Sequence, residues 1–311
     1  MQIEVPIRSI SEATALLDAG GDIFYGGVVS KQHQVNNRDN SMLCQVGSFS
    51  ELHDIIRLVH SRGKRFYLTL NSNDANLEEC KTQIEQSILV GVDRFIVADL
   101  RLVEFINNNY SEEEVILSVL SGIQNAGALG FYLRDNVKGF CFERNVSPFN
   151  MERVITAYPI LEATAFASGN CQNTQRICQM HNLQPLFPIH KNPSGYTNLI
   201  CEGWYYERID TSSQALKDSL CHKISSELCS LCALPILRKV GVRTLKIEGR
   251  ELPISYKLKR IQMLKKTLNL LEKEKRSNKE NEALCQVIHL EYYGYPCNAH
   301  DCFYENTPIP K

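Results

Sequence analysis

The sequence carries almost no net charge: 34 Lys and Arg face 35 Asp and Glu, a formal −1 over 311 residues. Nothing in that balance draws the chain as a whole to nucleic acid or to an anionic membrane, although a local patch stays open. No apolar run reaches the roughly 18 residues that a membrane span needs. The opening stretch, MQIEVPIRSISEA, has no basic region followed by an apolar core. A secretory signal is therefore not expected, and the cytoplasm is the expected location. There is no HExxH, the helix-borne ligand pair of many zinc proteases, and no GxGxxG after the first strand. A dinucleotide fold thus has no direct support.

What is present is ordinary globular material, 43% hydrophobic and 22% charged, arranged with a strong rhythm. Short apolar runs read as buried strands over residues 3–7, 22–25, 65–70, 94–98, 115–120, 139–142, 160–165, 183–188 and 244–247. Between most of them lie stretches of helical spacing, over 11–19, 51–61, 77–90, 102–107, 125–133, 149–157 and 234–240. Strands apolar on both faces alternating with amphipathic helices argue a parallel sheet. The number of alternations over about 250 residues favours a closed TIM-like (β/α)8 barrel over an open doubly wound sheet. The expected layout is an α/β barrel over 1–255, with a cysteine site between 171 and 232. A C-terminal helix and a tail rich in Cys and aromatics follow over 256–311. Ser255 to Lys275 is the helix, residues 276–282 read as a charged linker, and the tail holds Cys297, His300 and Cys302. That tail is open to three readings: plugging a pocket, joining a partner, or being a loose terminus.

Twelve cysteines are many for a reducing compartment, where metal binding or catalysis is a better reading than a disulfide framework. Cys171 and Cys178 frame CQNTQRIC just after a strand; Cys201 follows, then Cys229 and Cys232 in ELCSLC. Thiolates from strand ends of a barrel converge on one face, and four soft sulfur ligands suit zinc or an iron–sulfur cluster. Cys171 to Cys229 lack the paired CxxC knuckles of a zinc ribbon. Cys44, Cys80, Cys141, Cys221 and Cys285 read as small buried hydrophobes.

The last strand ends in LKIEGR, and strand ends form the functional rim of such a barrel. Lys246, Glu248 and Arg250 are therefore candidate catalytic groups, with an ordinary structural ion network as the alternative. His190 is the best placed of eight histidines to act as acid or base. Tyr25, Asn71 and Asp99 end other strands, and Arg38 lies in a long polar loop; these four are candidate substrate contacts. Arg suits a carboxylate because its planar fork binds both oxygens.

Four runs, in order, resemble one family: SISEATALLDAGGDIFYGG, HSRGKRFYLTLN, GVDRFIVADL and ELCSLCALPILRKVGVRTLKIEGR. They are similar to those of the collagenase-like peptidase family, over roughly residues 1–262. The resemblance implies a TIM-like barrel. It also implies oxygen-independent hydroxylation, on RNA bases in some members and on the ubiquinone ring in a paired set of single-barrel members. The latter hold a 4Fe-4S cluster on four cysteines and use prephenate as hydroxyl source. Carried over by motif, Cys171, Cys178, Cys201 and Cys229 are the implied ligands, with Cys232 or Cys44 as substitutes for Cys201 and zinc as the alternative metal.

Three departures stand out: Ser118 and Ala167 stand where the family has His, and Asn145 where it has Glu. The single-barrel length favours a small-molecule or quinone-like ring as substrate over RNA. The lost groups favour a further reading, a non-catalytic iron–sulfur subunit beside a homologous partner. A peptidase activity finds little support in the residues.

Overall fold

The computed structural model describes residues 1–28, 45–71, 77–169, 228–250, 252–273, 276–297 and 302–304. Eight parallel strands close into a barrel. They are β1 (Gln2–Pro6), β2 (Ile23–Gly26), β3 (Arg65–Leu70), β4 (Arg94–Val97), β5 (Val115–Leu117), β6 (Val137–Cys141), β7 (Glu162–Phe166) and β10 (Thr244–Lys246). Each pairs with its predecessor, and β10 pairs with both β7 and β1. A two-residue ladder of β8 (Ser168–Gly169) and β9 (Leu228–Cys229) stands beyond β7 as a separate antiparallel pair.

The helices are α1 (Ile10–Asp18), α2 (Phe49–Ser61), α3 (Leu77–Val90), α4 (Leu100–Asn109), α5 (Ala126–Tyr132), α6 (Pro148–Ala157), α7 (Leu234–Lys239), α8 (Ile254–Lys273) and α9 (Asn278–Tyr293). Local chemistry sets several starts. Ser48 Oγ accepts from the Glu51 N–H, and Asn125 Oδ1 from Ala128. Ser147 caps α6 one residue before Pro148, whose fixed φ suits a first helical position. α8 packs against α1 and β1, so it closes the barrel wall.

Residues that alternate along the strands separate into two groups. Ile3, Val5, Phe24, Phe66, Leu68, Phe95, Val97, Leu117, Phe140, Ala163, Ala165 and Leu245 pack with the helices in the main core. Ile23, Tyr25, Tyr67, Ile96 and Ile116 form a second, smaller cluster. The period of two along a strand produces this division, one set facing the helices and the other the lumen. At Gly139 the lumen wall is tight: a Cβ there would lie 2.5 Å from the Glu162 carbonyl oxygen. Backbone cannot yield as a side chain can, so Gly139→Ala should cost about 1–3 kcal/mol, read as a lower urea midpoint at unchanged slope.

Charged groups tie the wall together. Arg94 Nε lies 2.6 Å from Glu114, its Nη1 2.9 Å from Glu162 and 3.2 Å from the Tyr67 hydroxyl. Arg94 and Glu162 begin their strands and Glu114 stands one residue before β5, so the group lies toward the amino-terminal end, which in this architecture serves stability. Burial pushes the Tyr67 phenol up to about 12. Lys257 of α8 is fully buried with its Nζ 2.9 Å from Glu12 of α1.

Asp22 takes Lys64 and Lys265, each at 2.7 Å, and the Ile3 N–H at 3.0 Å. Burial alone would raise its carboxyl. The hydrogen bonds from Lys265, Lys64 and Ile3 outweigh that and hold it below the ordinary carboxylate range. Its contribution to stability is therefore complete above the unfolded value, about 3.9, and is lost as pH falls through the lower folded value. Asp22→Asn should flatten that acid limb in thermal melts run between about pH 2 and pH 5. An unchanged limb would mean that Asp22 is not what sets it.

Candidate active site at the barrel mouth

The carboxyl end of β10 brings two ion pairs to the mouth. Lys246 is opposite Glu4 of β1 in the strand register, and its amino group is paired with the Glu4 carboxylate. Both are buried, 8% and 2% exposed. The ammonium also sits 3.6 Å from the centroid of the Tyr25 ring, a close cation–π contact. The Tyr25 hydroxyl donates to the Ile247 carbonyl at 2.8 Å, which fixes the ring. Two residues beyond Lys246, Glu248 pairs with Arg144 from the segment after β6. The Arg144 guanidinium lies 4.6 Å from the Phe166 ring centroid. Glycine at 169 leaves room for this pair, since a Cβ there would meet Glu248 Oε1 at 2.4 Å and push the carboxylate aside.

An apolar cluster lies beside these charges. It comprises Ala98, Val119, Leu120, Cys141, Phe166, Leu228 and, from the chain's far end, Phe303. Phe303 stacks on Phe166 with ring centroids 6.4 Å apart, and the Tyr304 hydroxyl donates to the Phe166 carbonyl at 2.7 Å. The described tail residues 302–304 thus pack on Phe166 at the end of β7. Burial pushes the Cys141 thiol up to about 12, against the pull of Lys246, so it packs as a neutral thiol.

Of the residues singled out by sequence, the fold brings together Tyr25, Lys246 and, one step outward, Glu248. Arg250 follows them; its carbonyl accepts from Lys257 Nζ at 3.3 Å, and its Nη1 is buried without a hydrogen-bond partner among the described residues. Asn71 is half-buried at the end of β3. Asp99 instead caps α4: its carboxylate accepts from the Arg101 N–H at 2.9 Å and pairs with the Arg101 guanidinium at 2.6 Å. Arg38, His190, Cys171, Cys178, Cys201, Cys44 and Cys221 lie outside the described residues.

Cys229 is described, and its main chain is clamped from three directions. It faces Ser168 across the β8–β9 ladder, its carbonyl accepts from the Phe303 N–H at 2.7 Å, and the next residue, Ser230, donates to the Ala167 carbonyl at 2.7 Å. The ladder brings Cys229 alongside the segment that runs into Cys171. Burial pushes the Cys229 thiol up to about 12. Ser118, where the family pattern has His, caps a short 3-10 turn over Val119–Ser121.

Four participants were not singled out: Glu4, Arg144, Phe303 and Tyr304. A carboxylate in the middle of the apolar run QIEVP was the available signal for Glu4, since a buried acid implies a buried partner. Cys285, expected to be packing material, is buried on α9 but its thiol is also hydrogen-bonded to Cys232. Among the described residues no helix is long and apolar enough to cross a membrane.

Comparison with known proteins finds a curated relative of defined activity. The tRNA hydroxylation protein P of Escherichia coli (strain K12) is 24% identical over 153 residues, covering 48% of this chain and 32% of that protein. The chain thus aligns with about a third of that relative's length. Among solved structures, a U32 peptidase is similar over 54% of this chain and 69% of its own, at 14% identity and a TM-score of 0.44. The N-terminal domain of a putative aldolase from Bacteroides vulgatus aligns over 98% of this chain and 92% of its own, at 12% identity and a TM-score of 0.45. The sequence pattern of peptidase family U32 matches residues 8–302, from the loop after β1 to the tail at the mouth, and the chain belongs to that family.

Proposed function

We propose that the protein hydroxylates an aromatic or quinone-like ring without molecular oxygen. In this reading a dicarboxylate of the prephenate type supplies the hydroxyl group, and an iron–sulfur cluster sits at the barrel mouth. The observation that carries the reading is the set of cations at one rim: Lys246 beside Tyr25, Arg144 on Phe166, and Arg250, whose buried Nη1 has no hydrogen-bond partner among the described residues. Such a rim suits an anionic donor next to an aromatic acceptor. Overall the exchange is balanced: the ring gains the hydroxyl and is oxidised by two electrons. The donor gives up that hydroxyl and receives the electrons with the displaced ring hydrogen.

The residues present fit a cluster as far as they are described. Cys229 is a buried thiol on a ladder that leads to Cys171, and soft thiolates are the donors that iron–sulfur clusters take. Cys171, Cys178, Cys201 and Cys229 would hold the group, which when bound supplies one-electron chemistry. The chain's own side chains bind and orient. Arg250 takes a donor carboxylate, the Tyr25 ring and Lys246 fix the donor's edge, and the Lys246–Glu4 pair holds a proton at Nζ beside the reacting ring. Phe303 and Tyr304 keep water from the apolar side of the mouth.

A second reading, hydroxylation of an RNA base, is favoured by the relative that is a tRNA hydroxylation protein. The two are separated by one experiment. Cells lacking the gene are compared with complemented cells, and both digested RNA nucleosides and extracted quinones are analysed by mass spectrometry. The expected result is a ring species lighter by one oxygen in the lacking cells, which the intact gene but not an Arg250→Ala variant converts to the hydroxylated species. If the difference appears in a nucleoside, the RNA reading replaces the small-ring one. No difference in either fraction would end both.

A further inference from the structure

Glu143 is a buried acid just beyond the end of β6, 0% exposed, and it belongs to neither of the ion pairs at the mouth. The strand decides where it faces. Phe140 and Phe142 belong to the main core and meet edge to face, with ring centroids 4.9 Å apart. Cys141 lies on the opposite face, in the apolar cluster of the mouth. The period of two puts Glu143 on the Cys141 side, one step nearer the rim. The backbone stays extended that far: the Phe142 N–H donates to the Thr164 carbonyl at 3.0 Å, and the Glu143 N–H to the Ile123 carbonyl at 3.2 Å. The chain turns after that, where the Val146 N–H donates back to the Glu143 carbonyl at 3.3 Å.

Strand register gives Glu143 its neighbours. Cys141 of β6 is opposite Thr164 of β7, so two residues on Glu143 comes beside Phe166. Phe166 is opposite Lys246, and Lys246 opposite Glu4. Glu143, Phe166, Lys246 and Glu4 thus form one row across four neighbouring strand ends. Glu143 and Lys246 stand on either side of Phe166, their backbones two strand spacings or roughly 10 Å apart. That gap leaves room for a planar ring laid against Phe166. The charges of Lys246, Glu4, Arg144 and Glu143 all act on the Cys141 thiol one layer below. Asn145, which stands where the family pattern has Glu, is exposed. The acid that the run ERNVS turns to the lumen is therefore Glu143.

We propose, resting on the hydroxylation reading, that Glu143 takes the displaced ring hydrogen as a proton and returns it to the donor. Over the whole exchange the ring carbon–hydrogen bond and the donor carbon–oxygen bond break. A ring carbon–oxygen bond and a donor carbon–hydrogen bond form, and two electrons pass from the ring to the hydroxyl-bearing dicarboxylate. The hydrogen travels as a proton, from the ring carbon to a Glu143 oxygen and from there to the donor carbon. Lys246 and Arg144 are cations and cannot accept it. Protonating Glu4 or Glu248 would break its ion pair with Lys246 or Arg144, whereas Glu143 stands outside both pairs. Its burial keeps the proton from water between the two transfers.

The test adds the purified full chain to an oxygen-free extract of cells lacking the gene. That extract supplies both the unhydroxylated ring species and the donor, and the hydroxylated product is followed by mass spectrometry. Glu143→Gln should form product about a hundredfold more slowly than the intact protein, with iron content and melting temperature unchanged. Glu143→Asp, which keeps an acid at the position, should recover about tenfold over the Gln variant. Formate should speed Glu143→Ala severalfold, as a small acid entering the vacated place, and should not speed the intact protein. A buried acid with a merely structural role would give no such rescue. Should Glu143→Gln fail to fold, Glu143→Asp and the formate rescue decide. Product formed as fast by Glu143→Gln as by the intact protein would overturn the proposal, and so would a folded Glu143→Ala that formate does not speed. Both outcomes leave the hydroxylation reading standing. An intact protein that forms no hydroxylated product would strike that reading itself, and the proton acceptor with it.

Discussion

Lys246→Met should lower stability by about 3–5 kcal/mol, a large part of what a domain of this kind has. The amino group is the partner of Glu4, and that carboxylate is 2% exposed. Removing the lysine leaves a negative charge in the lumen with neither water nor cation. The cost is the desolvation of Glu4, not the net worth of the pair. A buried pair is near break-even against an apolar pair of equal volume. The double variant Glu4→Gln with Lys246→Met should therefore be more stable than the lysine variant alone, and the double-mutant cycle should give a coupling above about 1 kcal/mol. Urea unfolding of the four proteins at constant slope is the measurement. A loss under about 1 kcal/mol in Lys246→Met would mean that solvent reaches Glu4, and the lumen would have to be wetter than its packing indicates. The same variant takes the cation from the Tyr25 ring, so ring hydroxylation should fall with it. The double variant, which repairs stability, should not repair activity. That split separates a positioning role at the mouth from a merely structural one.

Much of the barrel is legible because it rests on local rules. All eight barrel strands were placed by apolar runs bounded by turns, and the helices between them by period and by Ser or Asn at their starts. Departures have local causes. The run 115–120 looks like one strand, yet β5 ends at Leu117, because Ser118 accepts the Leu120 N–H and turns the chain. Residues 276–282 read as a charged linker, but Ser277 and Glu280 cap each other's backbone and start α9. The spacing of Ser277 and Glu280 was the sign, and it was hidden by the density of charge around it.

The site was legible only where one end of a strand identifies it. Tyr25, Lys246 and Glu248 follow from the rule that strand ends face the mouth. Asp99 satisfies the same rule, yet the aspartate before a helical run is also an N-cap, and the capping geometry accounts for its carboxylate. Glu4 and Arg144 were out of reach because their meaning lies in partners far along the chain, at Lys246 and Glu248. No periodicity connects β1 to β10; only closure of the barrel does. The tail is the extreme case. Phe303 and Cys302 are separated from Phe166 and Cys229 by more sequence than any local rule spans, and their place depends on the path of α8 and α9. Cys285 shows the limit from the other side. Its helical spacing correctly reads as core, but burial does not tell what the sulfur touches.

If the mouth holds the proposed cluster, Cys229→Ser should empty it of iron while leaving the fold almost untouched. The main chain at 229 is held by the ladder to Ser168, by the Phe303 N–H and by the neighbouring Ser230 hydroxyl, and serine keeps every one of those bonds. In metal-free protein the loss should be small, of the order of 1 kcal/mol, the cost of exchanging one buried sulfur for a hydroxyl. In protein purified without oxygen the change should be all or none, because a cluster held by four thiolates does not persist at full occupancy on three of them and an alcohol. About four irons per chain should fall to near zero, the thiolate-to-iron absorbance should vanish, and hydroxylation should go with it. Cys80→Ser is the matched control, since that thiol is buried on α3 and pushed up to about 11 by burial; it should keep its iron. If Cys229→Ser retains iron and Cys232→Ser loses it, the ligand is Cys232, three residues further along the chain. Cys229 would then not be a ligand, and the assignment of the four thiolates at the mouth would fall. If neither variant changes iron, the sulfur of ELCSLC serves packing alone.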